Sequence, residues 1–358
     1  MREAAFYEKL AADHVRCRLC PHECDIAPHH HGVCGVRYNA AGTLYTLVYD
    51  KVISHAVDPI EKKPLFHFQP GSTSYSIATV GCNMRCLHCQ NWEISQWSKE
   101  MKHWPAAPNA MCPDLASLDH AVPGEPVSPE KIVAVAQHSR TRSISYTYSE
   151  PTIFFELAYD TAVLARQAGL KNVFVTNGYT SPAAVRQLAG VLDAANVDLK
   201  FWNDNTHRHI TGAPLAPVLD SIRLYHELGV WIEVTTLVIP GLNDADTDLR
   251  GIAGFLQSVS PDIPWHISAF HPTYKMKDRP RTPATTLHRA RQLGLEAGLR
   301  YVYEGNVPGQ GNETTYCPAC RKALIERYGF MVLRNLVRAG RCPNCGTAIA
   351  GVELSGGQ

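Results

Sequence analysis

Residues 75–91 read YSIATVGCNMRCLHCQN. Tyr75 to Gly81 reads as a short buried strand closed by a glycine. The loop that follows carries Cys82, Cys86 and Cys89 in C-x3-C-x2-C spacing. Three thiolates so close together on a post-strand loop can curl around a compact inorganic cluster. Iron–sulfur clusters usually take four thiolates, so three local ligands leave one iron open. An open iron suits a reactive centre better than an electron-transfer centre. The plainer alternatives are three buried cysteines, or part of a zinc site with a remote ligand.

Downstream, residues 98–127 are rich in Pro, Ala, Met and His without clear periodicity, and read as an inserted loop containing a lone Cys112. From Ser128 the pattern becomes regular. Ser128-Pro129 and Ser181-Pro182 open helices as N-cap followed by Pro at the first helical position. Strands are expected at 143–148, 172–176, 196–200, 230–237, 265–270 and 301–303, with helices at 153–168, 216–228, 246–258 and 285–297 between them. Strands alternating with single helices imply parallel pairing, and six or seven such units give a (β/α) barrel, complete or partial. Chemistry in that architecture sits at the C-terminal ends of the strands. The site inventory is therefore the 82–91 loop, Ser149-Glu150-Pro151, Thr176-Asn177-Gly178, Asp198 to Lys200, Val238 to Gly241 and His271.

The chain has 358 residues, 45% of them apolar, enough to bury a sizeable core. Lys and Arg number 34 against 33 Asp and Glu, a net charge of +1 that argues against a protein built to wrap a polyanion. No apolar run reaches the roughly 18 residues of a membrane span. The stretch MREAAFYEKLAADHVR has no apolar h-region, so a cytoplasmic protein is expected. Twelve cysteines in that setting point to metal rather than disulfides.

Cys317, Cys320, Cys342 and Cys345 form C-x2-C-x21-C-x2-C, two knuckles suited to a structural zinc ribbon, with a second iron–sulfur cluster as the rival. A strand is expected between them near 330–336. Cys17, Cys20, Cys24 and Cys34 could close another four-thiolate site, with His22, His29, His30 and His31 as substitutes. Zinc, an auxiliary cluster, and a ligand set shared with the C-terminal pairs are all open readings there.

The stretch GCNMRCLHCQN resembles the radical S-adenosylmethionine (SAM) superfamily, in particular its pyruvate formate-lyase activating-enzyme branch. The whole layout, cysteine-rich ends around a barrel, resembles the AmmeMemoRadiSam system radical SAM enzyme group. The fold so implied is α/β: a partial (β/α)6 TIM-type barrel over 71–310, with small Cys-rich metal-binding modules at 1–70 and 311–358. The resemblance implies a [4Fe-4S] cluster on Cys82, Cys86 and Cys89, SAM on the open iron, and His88 near its adenine. Family members often carry Gly-Gly-Glu-Pro after the second strand, and this chain has Tyr148-Ser149-Glu150-Pro151. Glu150 matches the residue that accepts the methionyl ammonium, but the missing glycines put the local backbone path in question. Ser149, Asn177, Asp198 and Lys200 match other SAM-contacting positions; an Asp–Lys structural pair is the plainer account of the last two.

The activity implied is reductive cleavage of SAM to a 5′-deoxyadenosyl radical that abstracts hydrogen from an unidentified substrate, a protein among the candidates, as in a glycyl-radical-enzyme activase. A reduced flavodoxin- or ferredoxin-type donor is implied, with AMMECR1-like or Memo-like proteins as candidate partners. No nucleic acid or membrane partner is expected. The alternative is a zinc-ribbon adaptor whose barrel is a non-catalytic scaffold.

Overall fold

The computed structural model describes residues 1–100, 118, 120–307 and 312–355. Cys112 and most of the 98–127 insertion lie outside them. The main sheet has eight strands: β1 (Ser54–Pro59), β2 (Thr73–Ala78), β3 (Ser143–Tyr146), β4 (Lys171–Thr176), β5 (Ala194–Asp198), β6 (Trp231–Val238), β7 (Trp265–Ala269) and β8 (Val302–Gly305). They lie side by side in chain order. Strands β2 to β8 run parallel, and β1 pairs antiparallel with β2. The end strands β1 and β8 do not pair with each other, so the barrel is partial.

Between the strands run α1 (Pro129–His138), α2 (Phe155–Gln167), α3 (Pro182–Leu188), α4 (Ala216–Glu227), α5 (Asp246–Val259) and α6 (Ala284–Glu296). Helix α1 starts where Ser128 accepts from the Lys131 amide, and α3 where Ser181 accepts from that of Ala184. Each turns an apolar stripe to the sheet: Ile132, Val133 and Ala136 in α1, Ala184, Val185 and Leu188 in α3.

Two small sheets precede the barrel, one of Tyr7–Lys9, Val15–Cys17 and Asp25–Ile26, the other of Arg2–Glu3, Thr43–Thr46 and Arg37–Ala40. Their Val15, Leu19, Ile26 and Leu44 belong to the same apolar cluster as Ile77 and Phe155 of the barrel. Arg37, 1% exposed, donates to both carboxylate oxygens of Glu156 in α2 at 2.8 Å. At the other end, β9 (Thr315–Tyr316), β10 (Ala323–Tyr328) and β11 (Met331–Asn335) form an antiparallel sheet. Buried Arg327 of β10 donates to the Phe66 carbonyl at 2.6 Å and lies 4.3 Å over the Phe66 ring. No described helix is long and apolar enough to cross a membrane.

Candidate active site

The C-terminal ends of the parallel strands open into a cavity of about 720 Å³. Its wall brings together Cys82, Cys86, His88 and Cys89 from the loop after β2, Ser149 and Glu150 after β3, Asn177 after β4, and Asp198 and Lys200 at the end of β5, whereas Val238 to Gly241 and His271, also singled out from the sequence, are not among the residues that line it.

The cysteine loop is held from several sides. Gly81 has φ +101°, and a Cβ there would sit 2.8 Å from Val36 Cγ1, so the turn into the loop requires glycine. The amides of Arg85 and Leu87 donate to the carbonyls of Thr211 and Ile210, and Lys99 donates to those of Cys82 and Met84 at 2.8 and 2.6 Å. The Met84 amide lies 3.3 Å from Cys82 Sγ, Asn177 Nδ2 3.7 Å from the same sulfur, and Ser95 Oγ 3.1 Å from Cys89 Sγ. Burial pushes the Cys82 thiol up, and the Cys86 thiol to about 11.

Glu150, 3% exposed, caps the 3-10 turn Pro151–Phe154. Its Oε1 accepts from the Thr152 amide and from the hydroxyls of Thr152 and Thr176, and its Oε2 from the Asn177 amide at 2.8 Å. Burial raises its pKa, and those donors act against the rise. Asn177 donates through Nδ2 to Asn83 Oδ1. Lys200 Nζ lies 2.7 Å from Asp198 Oδ2; burial works against the ammonium, but Asp198 and the Cys86 thiol hold its pKa above the ordinary lysine range. Burial, reinforced by Lys200 and His207, pushes His88 down to about 3, so its ring is neutral. His88 Nδ1 and Ser149 Oγ are buried without a hydrogen-bond partner. Orphaned polar atoms on a cavity wall are donor and acceptor capacity available to a bound group.

Sequence reasoning missed Asp58 and Lys63, and read Tyr148 only as a departure from a glycine pattern. Lys63 and Tyr148 line the cavity. Asp58 of β1 accepts from Lys62, Lys63 and the Tyr148 hydroxyl. Burial lowers the Lys63 pKa to about 8 against the pull of Asp58. Nothing in the sequence links these residues, because β1 brings Asp58 to Tyr148 from 90 positions away. His266 also lines the cavity and pairs with buried Glu233 at 2.7 Å.

The terminal cysteines differ from the central ones. The ligand atoms of Cys317, Cys320, Cys342 and Cys345 all lie within 4.8 Å of one another, with 3.6 Å between the Cys317 and Cys345 sulfurs and 3.7 Å between those of Cys320 and Cys342. A tetrahedral ion with metal–sulfur bonds of about 2.3 Å spaces its thiolates by about 3.8 Å, so this group fits a single ion. The Lys322 amide and the Asn344 side chain draw the Cys320 thiol down to about 6, which favours ligation. Among the described residues, the C-terminal quartet is the cysteine group whose ligand atoms are shown gathered this closely.

A family model described as Radical SAM superfamily matches residues 76–250. An uncharacterized protein of Methanocaldococcus jannaschii is 46% identical over 352 residues, 98% of this chain and 99% of that one. A second protein of that archaeon, provisionally named a glycyl-radical enzyme activating enzyme, is 26% identical over 56% of this chain and 68% of its own. The pyruvate formate-lyase-activating enzyme of Streptococcus mutans is 24% identical over 64% of this chain and 76% of its own.

Proposed function

The chain belongs to the Radical SAM superfamily, and from that we propose an enzyme in which Cys82, Cys86 and Cys89 hold a [4Fe-4S] cluster whose fourth iron takes SAM. When bound, the pair supplies one-electron cleavage of the sulfonium and a 5′-deoxyadenosyl radical that removes hydrogen from a substrate. One observation carries this reading: three thiols share a cavity wall with two buried polar atoms that lack partners.

This chain's own residues bind and orient. Glu150 Oε2 accepts from one amide and keeps a lone pair for the methionyl ammonium. Lys200, steadied by Asp198, would hold the SAM carboxylate. Ser149 Oγ and neutral His88 Nδ1, both unpartnered, would offer hydrogen-bonding capacity to the nucleoside end. Asn177 directs an N–H at the Cys82 sulfur and favours its thiolate.

The substrate we favour is a protein. Phe330 lies on the cavity rim, and it and the neighbouring Met331 and Leu333 of the C-terminal hairpin are each at least half exposed. Apolar side chains gathered at a cavity mouth suit macromolecular docking. A glycyl-radical activase is the form of this reaction that the activating-enzyme relatives support. The electron donor is a reduced flavodoxin- or ferredoxin-class protein, and AMMECR1-like and Memo-like proteins are the first partners to test. Zinc is the metal we assign to Cys317, Cys320, Cys342 and Cys345.

The test is anaerobic reconstitution followed by dithionite and SAM. The expected product is 5′-deoxyadenosine, absent when Cys82, Cys86 and Cys89 are all changed to Ala. A filled cluster that yields no 5′-deoxyadenosine rejects the enzyme and favours a zinc-ribbon adaptor.

A further inference from the structure

Strand β7 turns two polar side chains to the large cavity that the chemistry above does not use. His266 and Ser268 line it, while Trp265 and Ile267 do not. Residues two apart on a strand share a face, about 6.6 Å from each other.

The His266 ring is fixed in place. It stacks on Tyr303 with centroids 5.3 Å apart and meets the Phe66 ring edge-on at 4.7 Å. Its Nε2 lies 2.7 Å from Glu233 Oε2. Glu233 is fully buried, and its oxygens also accept from the Phe66 and His67 amides and from the Trp231 ring. Burial acts to raise the Glu233 pKa, but these donors, His266 foremost, bring it below the ordinary range and keep the carboxylate ionised. An ionised acceptor at Nε2 fixes the proton of the neutral ring there and leaves a lone pair on Nδ1. Nothing among the described residues hydrogen-bonds that nitrogen or Ser268 Oγ, and both open onto the cavity.

The next strand leaves space at the same place. Gly305 of β8 pairs with Ser268, and a Cβ at 305 would come 2.7 Å from Ser268 Oγ. The φ of Gly305 is outside the left-handed region, so it is room, not backbone conformation, that calls for glycine. A lone pair and a hydroxyl about 6.6 Å apart beside bare backbone match an extended peptide, whose N–H and C=O groups recur along one side with the same two-residue repeat.

We propose that His266 and Ser268 form the substrate subsite and hold an extended peptide backbone. His266 Nδ1 accepts from an amide of that segment, Ser268 Oγ donates to one of its carbonyls, and Gly305 leaves the space the segment occupies. The inference rests on the protein-substrate reading above and names the groups that grip the substrate.

The probe is acetyl-Ala-Ala-Gly-Ala-Ala-amide with deuterium at the glycine α-carbon. Calorimetric titration into the unreduced, reconstituted full-length protein should show saturable binding, weakened about tenfold in Ser268→Ala and about tenfold in His266→Gln. Gln keeps a donor for Glu233 and lacks the Nδ1 lone pair. If His266→Gln does not fold, Ser268→Ala decides alone, since Ser268 Oγ bonds nothing in the fold. With dithionite and SAM added, hydrogen abstraction breaks an α-carbon–deuterium bond of the peptide and forms one in 5′-deoxyadenosine, leaving a radical on the glycine. The mass of 5′-deoxyadenosine therefore reads the transfer. Wild type should yield deuterated 5′-deoxyadenosine, and both variants should need more peptide to reach half of their maximal transfer. A wild type that does not bind the peptide, a Ser268→Ala variant that binds it as tightly as wild type, or 5′-deoxyadenosine free of deuterium each overturns the proposal. Binding weakened in the variants but without any 5′-deoxyadenosine would leave the subsite standing and reject the SAM-cleaving enzyme.

Discussion

Tyr148 occupies a position whose backbone suits glycine. Its φ is +62°, in the left-handed region that costs a side-chain-bearing residue about 1–2 kcal/mol. The sequence showed that paired glycines were missing before Glu150 and left the path of the chain in question. The chain keeps the left-handed turn and anchors the intruding ring. The hydroxyl binds Asp58, and Lys63 Nζ lies 4.4 Å from the ring centroid. Glu150 was singled out because a carboxylate before a proline is a local pattern that can be matched to the Gly-Gly-Glu-Pro motif. The Asp58 anchor was not, because it depends on β1 folding against β2. Replacing Tyr148 by Gly or by Ala removes the same anchor, but only Ala retains the strain. Tyr148→Gly should therefore be more stable than Tyr148→Ala by about 1–2 kcal/mol, and Tyr148→Phe should lie about 1–2 kcal/mol below wild type. Urea unfolding of the three variants beside wild type measures both differences. Equal stability of the Gly and Ala variants would remove the strain argument.

Two helical glycines separate what propensity dictates from what packing dictates. Gly254 lies in α5, exposed, with nothing within 4 Å of where a Cβ would sit. Gly294 lies in α6, where a Cβ would come 2.9 Å from Cε3 of Trp265 in β7. Gly254→Ala should raise the unfolding free energy by about 0.5–1 kcal/mol. Gly294→Ala should lower it by about 1–3 kcal/mol, because the Trp265 ring is fully buried and cannot retreat. Thermal melts of the two single variants should move in opposite directions, and a shared direction would contradict the packing geometry. Elements such as α5 were readable because their apolar residues recur at helical spacing. The helix Asp204–Thr211 was not, since it buries only His207, Ile210 and Thr211 and is held by its Asn203 cap. Strand β1 escaped for a related reason. It reads Ser-His-Ala-Val-Asp-Pro, and a charged, proline-ended segment is tolerated only at a sheet edge.

Segments far apart in the chain are joined by buried polar groups that leave no mark on the sequence. Glu233 of β6 accepts from the amides of Phe66 and His67 and from the His266 and Trp231 rings. Arg327 and His67 extend that network to the C-terminal module. Partners this far apart in the chain have no periodicity to betray them, whereas the parallel sheet they brace was announced by its strand and helix pattern. His67 is the joint where pH should act. Its Nδ1 bonds the Ala350 carbonyl at 2.7 Å, its Nε2 bonds the Tyr303 hydroxyl at 2.6 Å, and burial lowers its pKa to about 4. The ordinary histidine value is about 6.5. Between those values the unfolded chain takes up a proton that the folded chain refuses, so stability rises with pH across the window and is lost as pH falls through it. One such group contributes up to about 1.4 kcal/mol per pH unit. His67→Gln keeps a donor and an acceptor but cannot titrate. It should cost about 1 kcal/mol at pH 7 and show a shallower decline from pH 6.5 to pH 4 by about that slope. Chemical unfolding of both proteins at half-unit pH intervals gives the two slopes. Parallel curves would mean that His67 is protonated in the folded state and that the joint to the C-terminal module is an ion pair with Glu233 instead of a neutral hydrogen-bonded ring.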